Sequence, residues 1–268
     1  SRPGSEGSDF YPGSTGIDSE TYGTKNALGI CTNERALIQL AEENFDKVIV
    51  LVNSCSTMEL GDLKNDDKIS SIVFIGFPGA YGTLGIADVL NGTVSPSGCL
   101  PDTYAVDTAM APAAQNFGSI KLADTSMIKW PISLMGEMDT DVAGGFLAGS
   151  NSTSSACYLI EAEGIYTGYK YYETRYYDSV TGAGNATGAA GASNGAASWN
   201  YDDEVVYPFG YGLSYTTFQQ TLDDVQVNTD EKTVTAKITV TNTGSVAGKH
   251  AAQLYVSVPY TDYNKKAG

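Results

Sequence analysis

The chain is poor in histidine and in basic residues. It has one histidine, His250, and 15 lysines and arginines against 31 aspartates and glutamates, which gives a formal net charge of −16. A single histidine excludes a metal centre built on several histidines. The negative charge disfavours nucleic acid and anionic membranes as partners, because both are bound through clustered basic groups. His250 lies beside a predicted strand, and we interpret it as a structural residue.

Long apolar runs and metal-type cysteine spacings are also missing. No window holds about 18 uninterrupted apolar residues, so the sequence predicts no membrane span. The cysteines at positions 31, 55, 99 and 157 lie far apart and match no metal motif, and we predict neither a metal nor a cofactor. A disulfide is compatible with their number but is not required by it. Cys55 and Cys99 each follow an apolar strand or turn, and we expect both thiols to be buried.

The remaining composition is that of a globular protein with a core. At 268 residues and 42% apolar composition, the chain is long enough for two domains. Its 18 tyrosines outnumber its 8 phenylalanines, a balance that suits a carbohydrate ligand because a phenol ring stacks on a sugar and its hydroxyl binds sugar hydroxyls. Filling of half-exposed surface explains most of these tyrosines equally well. The sequence favours an extracellular or cell-surface location over a cytoplasmic one.

Residues 31–106 alternate between helical and strand patterns. Thr32 is predicted to cap a helix that ends near Asp46, and Val48–Val52 reads as a strand buried on both faces. A short helix within 58–68, a strand at 72–75, a helix at 84–90 and a short strand near 103–106 follow. This order predicts an α/β domain. The glycine-rich turn at 76–82 matches no nucleotide-binding fingerprint, so we interpret it as structural.

The amino-acid composition changes after position 107, and the apolar periodicity changes near position 213. Segments around 107–160 and 181–200 are rich in small and polar residues and are predicted to be surface loops or insertions. From 213 the apolar period becomes two, which is typical of an antiparallel sandwich. The tyrosines at 166, 169, 171 and 172 could form a wall of a site or pack between domains, and packing is the interpretation that we favour.

Three stretches together resemble glycoside hydrolase family 3. Residues 78–103 are similar to its block PGxxGxxxIADVLxGxxxPSGxLPxT, and residues 163–172 are similar to EGIYxGYRYY. Residues 208–218 read PFGYGLSYTTF, as in that family. The resemblance implies a three-layer α/β sandwich with a mostly parallel sheet over residues 1–206, interrupted by the two insertions. It further implies a partial, all-β, fibronectin type III-like sandwich over 207–268.

The family resemblance also gives roles to the first residues. Arg2, Glu6 and Asp9 keep the spacing of the family's RxSGEGxD loop, although Gly4-Ser5 reverses the usual order. The resemblance implies that Glu6 is the general acid/base. Asp9 would bind a sugar hydroxyl or hold the loop, and Arg2 would pair with a carboxylate near the site or with Asp9.

The expected activity is that of a retaining exo-β-glycosidase, most readily a β-glucosidase acting on a β-glucoside or oligosaccharide. The family's nucleophile is an aspartate in a Ser-Asp-Trp-like motif on a (β/α)8 barrel, a motif that this sequence does not contain. The barrel domain of the same enzyme is therefore an expected partner. A β-xylosidase of the same family and a non-catalytic carbohydrate-binding or scaffold fragment are the alternatives. The sequence leaves a homodimer open.

Overall fold

The computed structural model describes residues 28–121, 155–159 and 163–255. Arg2, Glu6 and Asp9 lie outside these residues. Helices and strands are both present in the described part, as the sequence predicts for an α/β protein. The helices are α1 Thr32–Asn44, α2 Gly61–Lys64, α3 Gly82–Leu90, α4 Pro112–Gln115, α5 Tyr169–Thr181 and α6 Tyr201–Glu204. The strands are β1 Val48–Val52, β2 Ile69–Phe74, β3 Tyr104–Ala105, β4 Phe117–Lys121, β5 Ser155–Leu159, β6 Val205–Tyr207, β7 Phe218–Asn228 and β8 Thr233–Asn242.

Strands β1 and β2 form the parallel pair that the two apolar runs predict. Their register places Val52 opposite Phe74, and the Ile75 N–H extends the ladder by donating to the Val52 carbonyl at 3.0 Å. The helix between positions 31 and 45 and the short helix before β2 are likewise confirmed. The cap differs, however, because Cys31 occupies the N-cap position and the Glu34 carboxylate accepts its N–H at 3.0 Å.

Strand β1 is buried on one face, so the prediction of two buried faces is wrong for the described structure. Val48 and Val52 are buried, and Val50 packs against the same core cluster. Ile49 and Leu51 are 48% and 40% exposed. Successive side chains in a strand point to opposite faces, so these two residues form the opposite, uncovered side.

A short antiparallel ribbon, β3 with β6, separates two core clusters. Tyr104 and Val206 belong to the first cluster, which also contains Val52, Met58, Leu60 and Leu63. Ala105 and Val205 belong to the second cluster, with Tyr172, Ala192 and Trp199. Because neighbouring side chains alternate between faces, a ribbon only two to three residues long contributes to both cores. It also joins positions that lie about a hundred residues apart in the sequence.

The segment after α5 contributes to this second core, which corrects its prediction as a surface loop. Trp199 is 2% exposed, and Ala192 is buried beside it. Helix α5 provides the anchor through Arg175, whose guanidinium carbon lies 4.5 Å from the centre of the Trp199 ring. The same guanidinium group donates to three backbone carbonyls of the segment at 2.7–2.8 Å, namely those of Ala186, Gly188 and Ala190.

The remaining strands form antiparallel pairs. Strand β7 pairs with β8 over ten positions, as the period of two after position 213 predicts. Strand β4 pairs with β5, which corrects the prediction of loops for these two stretches of the segment 107–160. Residues 251–255, the last described stretch, form no strand. The lone histidine, His250, stacks on Phe218 with ring centres 5.0 Å apart and pairs with Gln220, in agreement with a structural role. Among the described residues, no helix has both the length and the apolar character of a membrane span.

The cysteines with described side chains are free thiols, and two of them contradict the expected burial. Cys31 is buried, whereas Cys55 and Cys99 are exposed. In the loop after β1 the fully buried position belongs to the neighbouring Ser54, whose hydroxyl bonds within the loop to Ser56. Cys55 therefore faces outward.

We predict that Arg175→Lys lowers the free energy of unfolding by about 2–4 kcal/mol, because a single ammonium group cannot replace a planar donor group that serves three separate carbonyls. Urea unfolding followed by tryptophan fluorescence measures the change. Lys237→Ala on the exposed face of β8 is the control and is expected to stay within about 0.5 kcal/mol of the parent protein. Equal stability of Arg175→Lys and the parent would show that the three hydrogen bonds do not hold the segment.

Candidate functional site

The N-terminal segment that carries the predicted site residues joins the described domain at Leu28. Helix α1 follows at once, and only three residues separate its end at Asn44 from the start of β1 at Val48. The Leu28 carbonyl accepts the N–H of Glu59 at 3.0 Å, which places Leu28 beside the segment that follows the carboxyl end of β1. Open α/β sheets bind their ligands at this edge.

The backbone at this carboxyl edge is held by polar groups that follow the two strands. The side-chain amide of Asn53, directly after β1, donates to the carbonyl of Gly76, which follows β2. Ser54 is completely buried, and its hydroxyl donates to the Ser56 carbonyl at 2.8 Å and accepts the Ser56 N–H at 3.0 Å. These contacts give the edge a defined shape next to the point where the N-terminal segment enters.

Glu59 joins this edge to the incoming chain. Its backbone N–H donates to the Leu28 carbonyl at 3.0 Å. One oxygen of its carboxylate accepts two hydrogen bonds from Thr108, at 2.9 Å from the backbone N–H and at 2.8 Å from the hydroxyl. Sequence reasoning did not single out Glu59, since a glutamate between Met58 and Leu60 fits any half-exposed chain segment.

Burial raises the pKa of the Glu59 carboxyl above its ordinary value of 4.5, and the negative charge of Asp107 adds to the rise. The two hydrogen bonds from Thr108 favour the ionised form and oppose the rise. Glu59 is therefore a half-buried acid at the edge where a ligand site is expected, with one of its oxygens committed to Thr108.

A second junction is built by the segments that carry the three family-like sequence blocks. Asp102, in the first block, accepts the N–H of Tyr169 at 2.9 Å and so holds the first turn of α5 in the second block. Gly168 precedes that turn with φ +56°, and a Cβ at Gly168 would lie 2.9 Å from the Asp102 carboxylate. A side chain at position 168 would therefore push the carboxylate away from the helix that it caps.

The third block closes this junction. The rings of Tyr169 and Phe209 stack with centres 4.0 Å apart. Leu100 exchanges backbone hydrogen bonds with the third block, donating to the Tyr211 carbonyl at 2.8 Å and accepting the Gly210 N–H at 2.9 Å. Gly212 passes so close that a Cβ there would lie 2.5 Å from the Gly98 carbonyl oxygen. The three blocks are thus one packed unit.

Tyrosines of the second block make packing contacts with other protein groups, and their packing between domains stays a prediction. Tyr172 is buried in the second core, and this burial raises the pKa of its phenol. Tyr171 receives a hydrogen bond from Arg175, and Tyr169 stacks on Phe209. These rings stabilise helix α5 and contact other side chains of the protein. Within the described residues, no three histidine, cysteine, aspartate or glutamate side chains are grouped so that they could hold a metal ion.

Comparison with known proteins identifies the family to which this chain belongs. The model of the glycosyl hydrolase family 3 C-terminal domain matches residues 11–215, which is most of the chain. The chain belongs to this family. The match spans the parallel pair, the ribbon between the two cores and the junction of the three sequence blocks.

Curated relatives of the chain are named β-glucosidases. Beta-glucosidase A of Butyrivibrio fibrisolvens is 30% identical over 247 residues, a match that covers 87% of this chain and 23% of the relative. The beta-glucosidase of Ruminococcus albus is 28% identical over 234 residues and is covered to 18%. The chain therefore spans about a fifth of the length of these relatives.

Solved family 3 structures have a similar fold. A β-glucosidase from Paenibacillus barengoltzii matches with a TM-score of 0.52 and 26% identity, over 80% of this chain and 17% of that protein. Beta-glucosidase 3B from Thermotoga neapolitana matches with a TM-score of 0.50 and 27% identity, over 82% of this chain and 23% of that protein. In both cases the similarity covers one part of a solved protein that is much longer than this chain.

We predict a pH-dependent effect of Glu59→Gln on stability. The raised pKa means that the folded state binds this proton more tightly than the unfolded state, so the stability that Glu59 contributes is present below pH 4.5 and is lost as pH rises through the raised value. Glutamine stays neutral and keeps an oxygen for Thr108. The variant is therefore expected to gain stability relative to the parent between about pH 4 and about pH 7 in urea unfolding.

Glu231→Gln on the turn between β7 and β8 is the matched control, because it removes the same charge from an exposed position. Its difference from the parent protein is expected to vary less with pH. A Glu59→Gln difference that is equal at both pH values would contradict the raised pKa.

We also predict that Gly168→Ala is more destabilising than Gly164→Ala. Both glycines have positive φ, at +56° and +57°, but a Cβ at Gly164 meets no atom within 4 Å. Gly164→Ala is expected to lower the free energy of unfolding by about 1 kcal/mol, and Gly168→Ala by about 1–2 kcal/mol more, measured by urea unfolding. The additional loss comes from displacement of Asp102 from the N–H of Tyr169.

A double-mutant cycle with Asp102→Ala separates this contact from backbone strain at Gly168. If the carboxylate is the obstacle, the double variant is less destabilised than the sum of the single variants. Strict additivity would show that Asp102 plays no part in the requirement for glycine.

Proposed function

We propose that this chain is the part of a retaining exo-β-glycosidase that supplies the general acid/base, Glu6, while the nucleophilic aspartate lies on a (β/α)8 barrel outside the chain. The proposed activity is that of a β-glucosidase, which removes terminal non-reducing β-D-glucosyl residues from a β-glucoside or oligosaccharide. The observation that carries the proposed activity is the family match over residues 11–215 together with the names of the curated relatives. The role of Glu6, which precedes the matched residues, rests on the resemblance of Arg2, Glu6 and Asp9 to the family's RxSGEGxD loop.

The place where the N-terminal segment joins the domain supports this assignment. Leu28 lies at the carboxyl end of β1 and is bonded there to Glu59. The first described residue therefore lies at the edge where α/β sheets bind ligands. Arg2 and Asp9 belong to the same segment, and we propose that they contact the substrate or orient the loop that carries Glu6.

Division of the two carboxyl groups between two domains suits the chemistry. A retaining glycosidase needs them about 5–5.5 Å apart, one as nucleophile and one as the acid that protonates the leaving oxygen. The acid must hold its proton near neutral pH, which requires burial or a neighbouring negative charge. Closure of the Glu6 segment against a barrel would provide both conditions, since the barrel brings the nucleophilic carboxylate.

The finer architecture is part of the same proposal. We propose that residues 1–206 form a three-layer α/β sandwich and that residues 207–268 form part of a fibronectin type III-like sandwich. The β1–β2 parallel pair and the β7–β8 antiparallel hairpin are compatible with these two units. The barrel is the partner that the two-carboxylate chemistry requires, and a homodimer stays a prediction.

The test of the proposed function is Glu6→Ala in the full-length enzyme. We expect the variant to lose about 10²–10⁴-fold in kcat/KM on phenyl β-glucoside, whose leaving group needs protonation, and to lose much less on dinitrophenyl β-glucoside. Azide is expected to restore turnover of the activated substrate with formation of glucosyl azide, because the anion attacks the anomeric carbon of the glycosyl-enzyme intermediate, releases the nucleophilic aspartate and, unlike water, needs no general base.

Two controls make the result specific. Glu20→Ala removes another carboxylate of the N-terminal region and is expected to leave the ratio of the two substrates unchanged. Phenyl β-xyloside tests the sugar, because faster turnover of the xyloside would favour the β-xylosidase alternative. Unchanged hydrolysis of phenyl β-glucoside by Glu6→Ala, without any azide effect, would refute the role of Glu6.

A further inference from the structure

The turn between strand β2 and helix α3 exposes two aromatic side chains. Strand β2 ends at Phe74, and α3 begins at Gly82. Between them, the side chains of Phe77 and Tyr81 are 56% and 83% exposed. A single exposed apolar residue is ordinary, whereas neighbouring exposed apolar side chains often mark a place where a ligand or another protein surface binds. These two rings on one turn therefore need an explanation beyond the packing of the turn itself.

The backbone of this turn is fixed. The side-chain amide of Asn53 donates to the Gly76 carbonyl and so ties the turn to the loop after β1. The Gly82 N–H donates to the Pro78 carbonyl at 2.9 Å, and a Cβ at Gly82 would lie 2.8 Å from the Cβ of Pro78. The turn is thus closed tightly while its two rings stay exposed. A surface held in this way loses little conformational freedom when a ligand binds.

The turn lies at the edge of the sheet where ligands are expected. Because β1 and β2 are parallel, the loop after β1 and the turn after β2 leave the sheet at the same edge. Open α/β sheets bind their ligands at the carboxyl ends of their strands. Phe77 follows the last residue of β2 by three positions. The exposed rings are therefore carried by the ligand edge of the described domain.

The chemistry of the turn suits a neutral ring. The face of an aromatic side chain stacks on a sugar or on another aromatic ring, and the hydroxyl of Tyr81 adds a group that can donate to or accept from a sugar hydroxyl. Residues 75–87 contain no aspartate, glutamate, lysine or arginine. The turn thus offers stacking surface without charge.

A glycosidase binds two parts of its substrate, and this turn fits one of them. The sugar that is transferred must meet both catalytic carboxyl groups. The leaving group has no such requirement, and an uncharged surface of rings is sufficient to bind it. The absence of carboxyl groups from residues 75–87 therefore assigns the turn to the leaving group.

We propose that Phe77 and Tyr81 form a platform for the ring of the leaving group. The platform favours β-glucosides whose leaving group is a sugar or an aromatic ring over those with a small alkyl group. This inference rests on the proposed function. It adds a determinant of substrate choice on the described part of the chain.

The experiment compares kcat/KM for cellobiose with kcat/KM for methyl β-glucoside in the full-length enzyme. Both leaving groups are alcohols that need protonation, and only the glucose released from cellobiose has a ring that can stack. The ratio therefore reports contacts with the leaving group and is insensitive to the amount of folded enzyme. We expect the ratio to fall about 3–10-fold in Phe77→Ala and in Tyr81→Ala, chiefly through a higher KM for cellobiose. Phe77→Tyr, which keeps a ring, is expected to change the ratio less than about twofold.

Tyr177→Ala is the matched control. It removes a ring that is 62% exposed on helix α5, outside the turn, and is expected to leave the ratio unchanged. An unchanged ratio in both Phe77→Ala and Tyr81→Ala would overturn the inference. Equal losses on the two substrates would give this result and would indicate that the rings pack against another part of the enzyme. An equally large fall of the ratio in Tyr177→Ala would also overturn the inference, because the effect would then not be specific to the turn.

The outcomes separate this inference from the proposed function. A lowered ratio in Phe77→Ala and Tyr81→Ala would support the platform even if Glu6→Ala kept full activity and the assignment of the acid/base failed. A large loss in Glu6→Ala with unchanged ratios in the two turn variants would overturn the platform alone. Absence of β-glucoside hydrolysis in the parent enzyme would overturn both.

Discussion

The carboxylate of Asp102 is the contact on which the central part of the molecule depends. One of its oxygens accepts the N–H of the next residue, Thr103, at 2.8 Å and the N–H of Tyr169 at 2.9 Å. The first N–H groups of a helix have no partner within the helix, and a negative charge at this end also complements the helix dipole. Asp102 thereby fixes the start of a 13-residue helix that begins 67 residues later in the chain.

Two cores meet beside this contact and depend on the same helix. Tyr172 on α5 fills the second core, and Arg175, one turn further on, binds the following loop and covers Trp199. In each strand of the β3–β6 ribbon, one of two neighbouring side chains belongs to the first core and the other to the second core. The parallel pair is therefore coupled through packing to a helix and a loop that are distant in sequence. The residues on either side of Glu59, Met58 and Leu60, belong to the first of these cores.

The sequence predicted the elements that depend on local pattern and missed those that depend on distant partners. The β1–β2 pair, the short helix α2, the helix before Asn91 and the β7–β8 hairpin all follow from apolar periodicity and turn residues. Helix α5 has tyrosines on several faces and no local cap, so its start depends on Asp102. The loop after it was predicted to be surface because its residues are small and polar. It is held instead by one residue outside the loop, Arg175. Glu59 carries no sequence signal, because its contacts with Leu28 and Thr108 follow from the fold alone.

The proposed function makes Glu6, in the N-terminal segment, the acid/base of the enzyme. The pH dependence of kcat/KM in full-length enzyme carrying Glu6→Gln tests this most directly. The parent enzyme is expected to show a bell-shaped profile whose alkaline limb reports ionisation of the acid. The variant should lose that alkaline limb and keep the acidic one, which belongs to the nucleophile. An alkaline limb that persists unchanged in the variant would contradict the assignment and place the proton donor elsewhere.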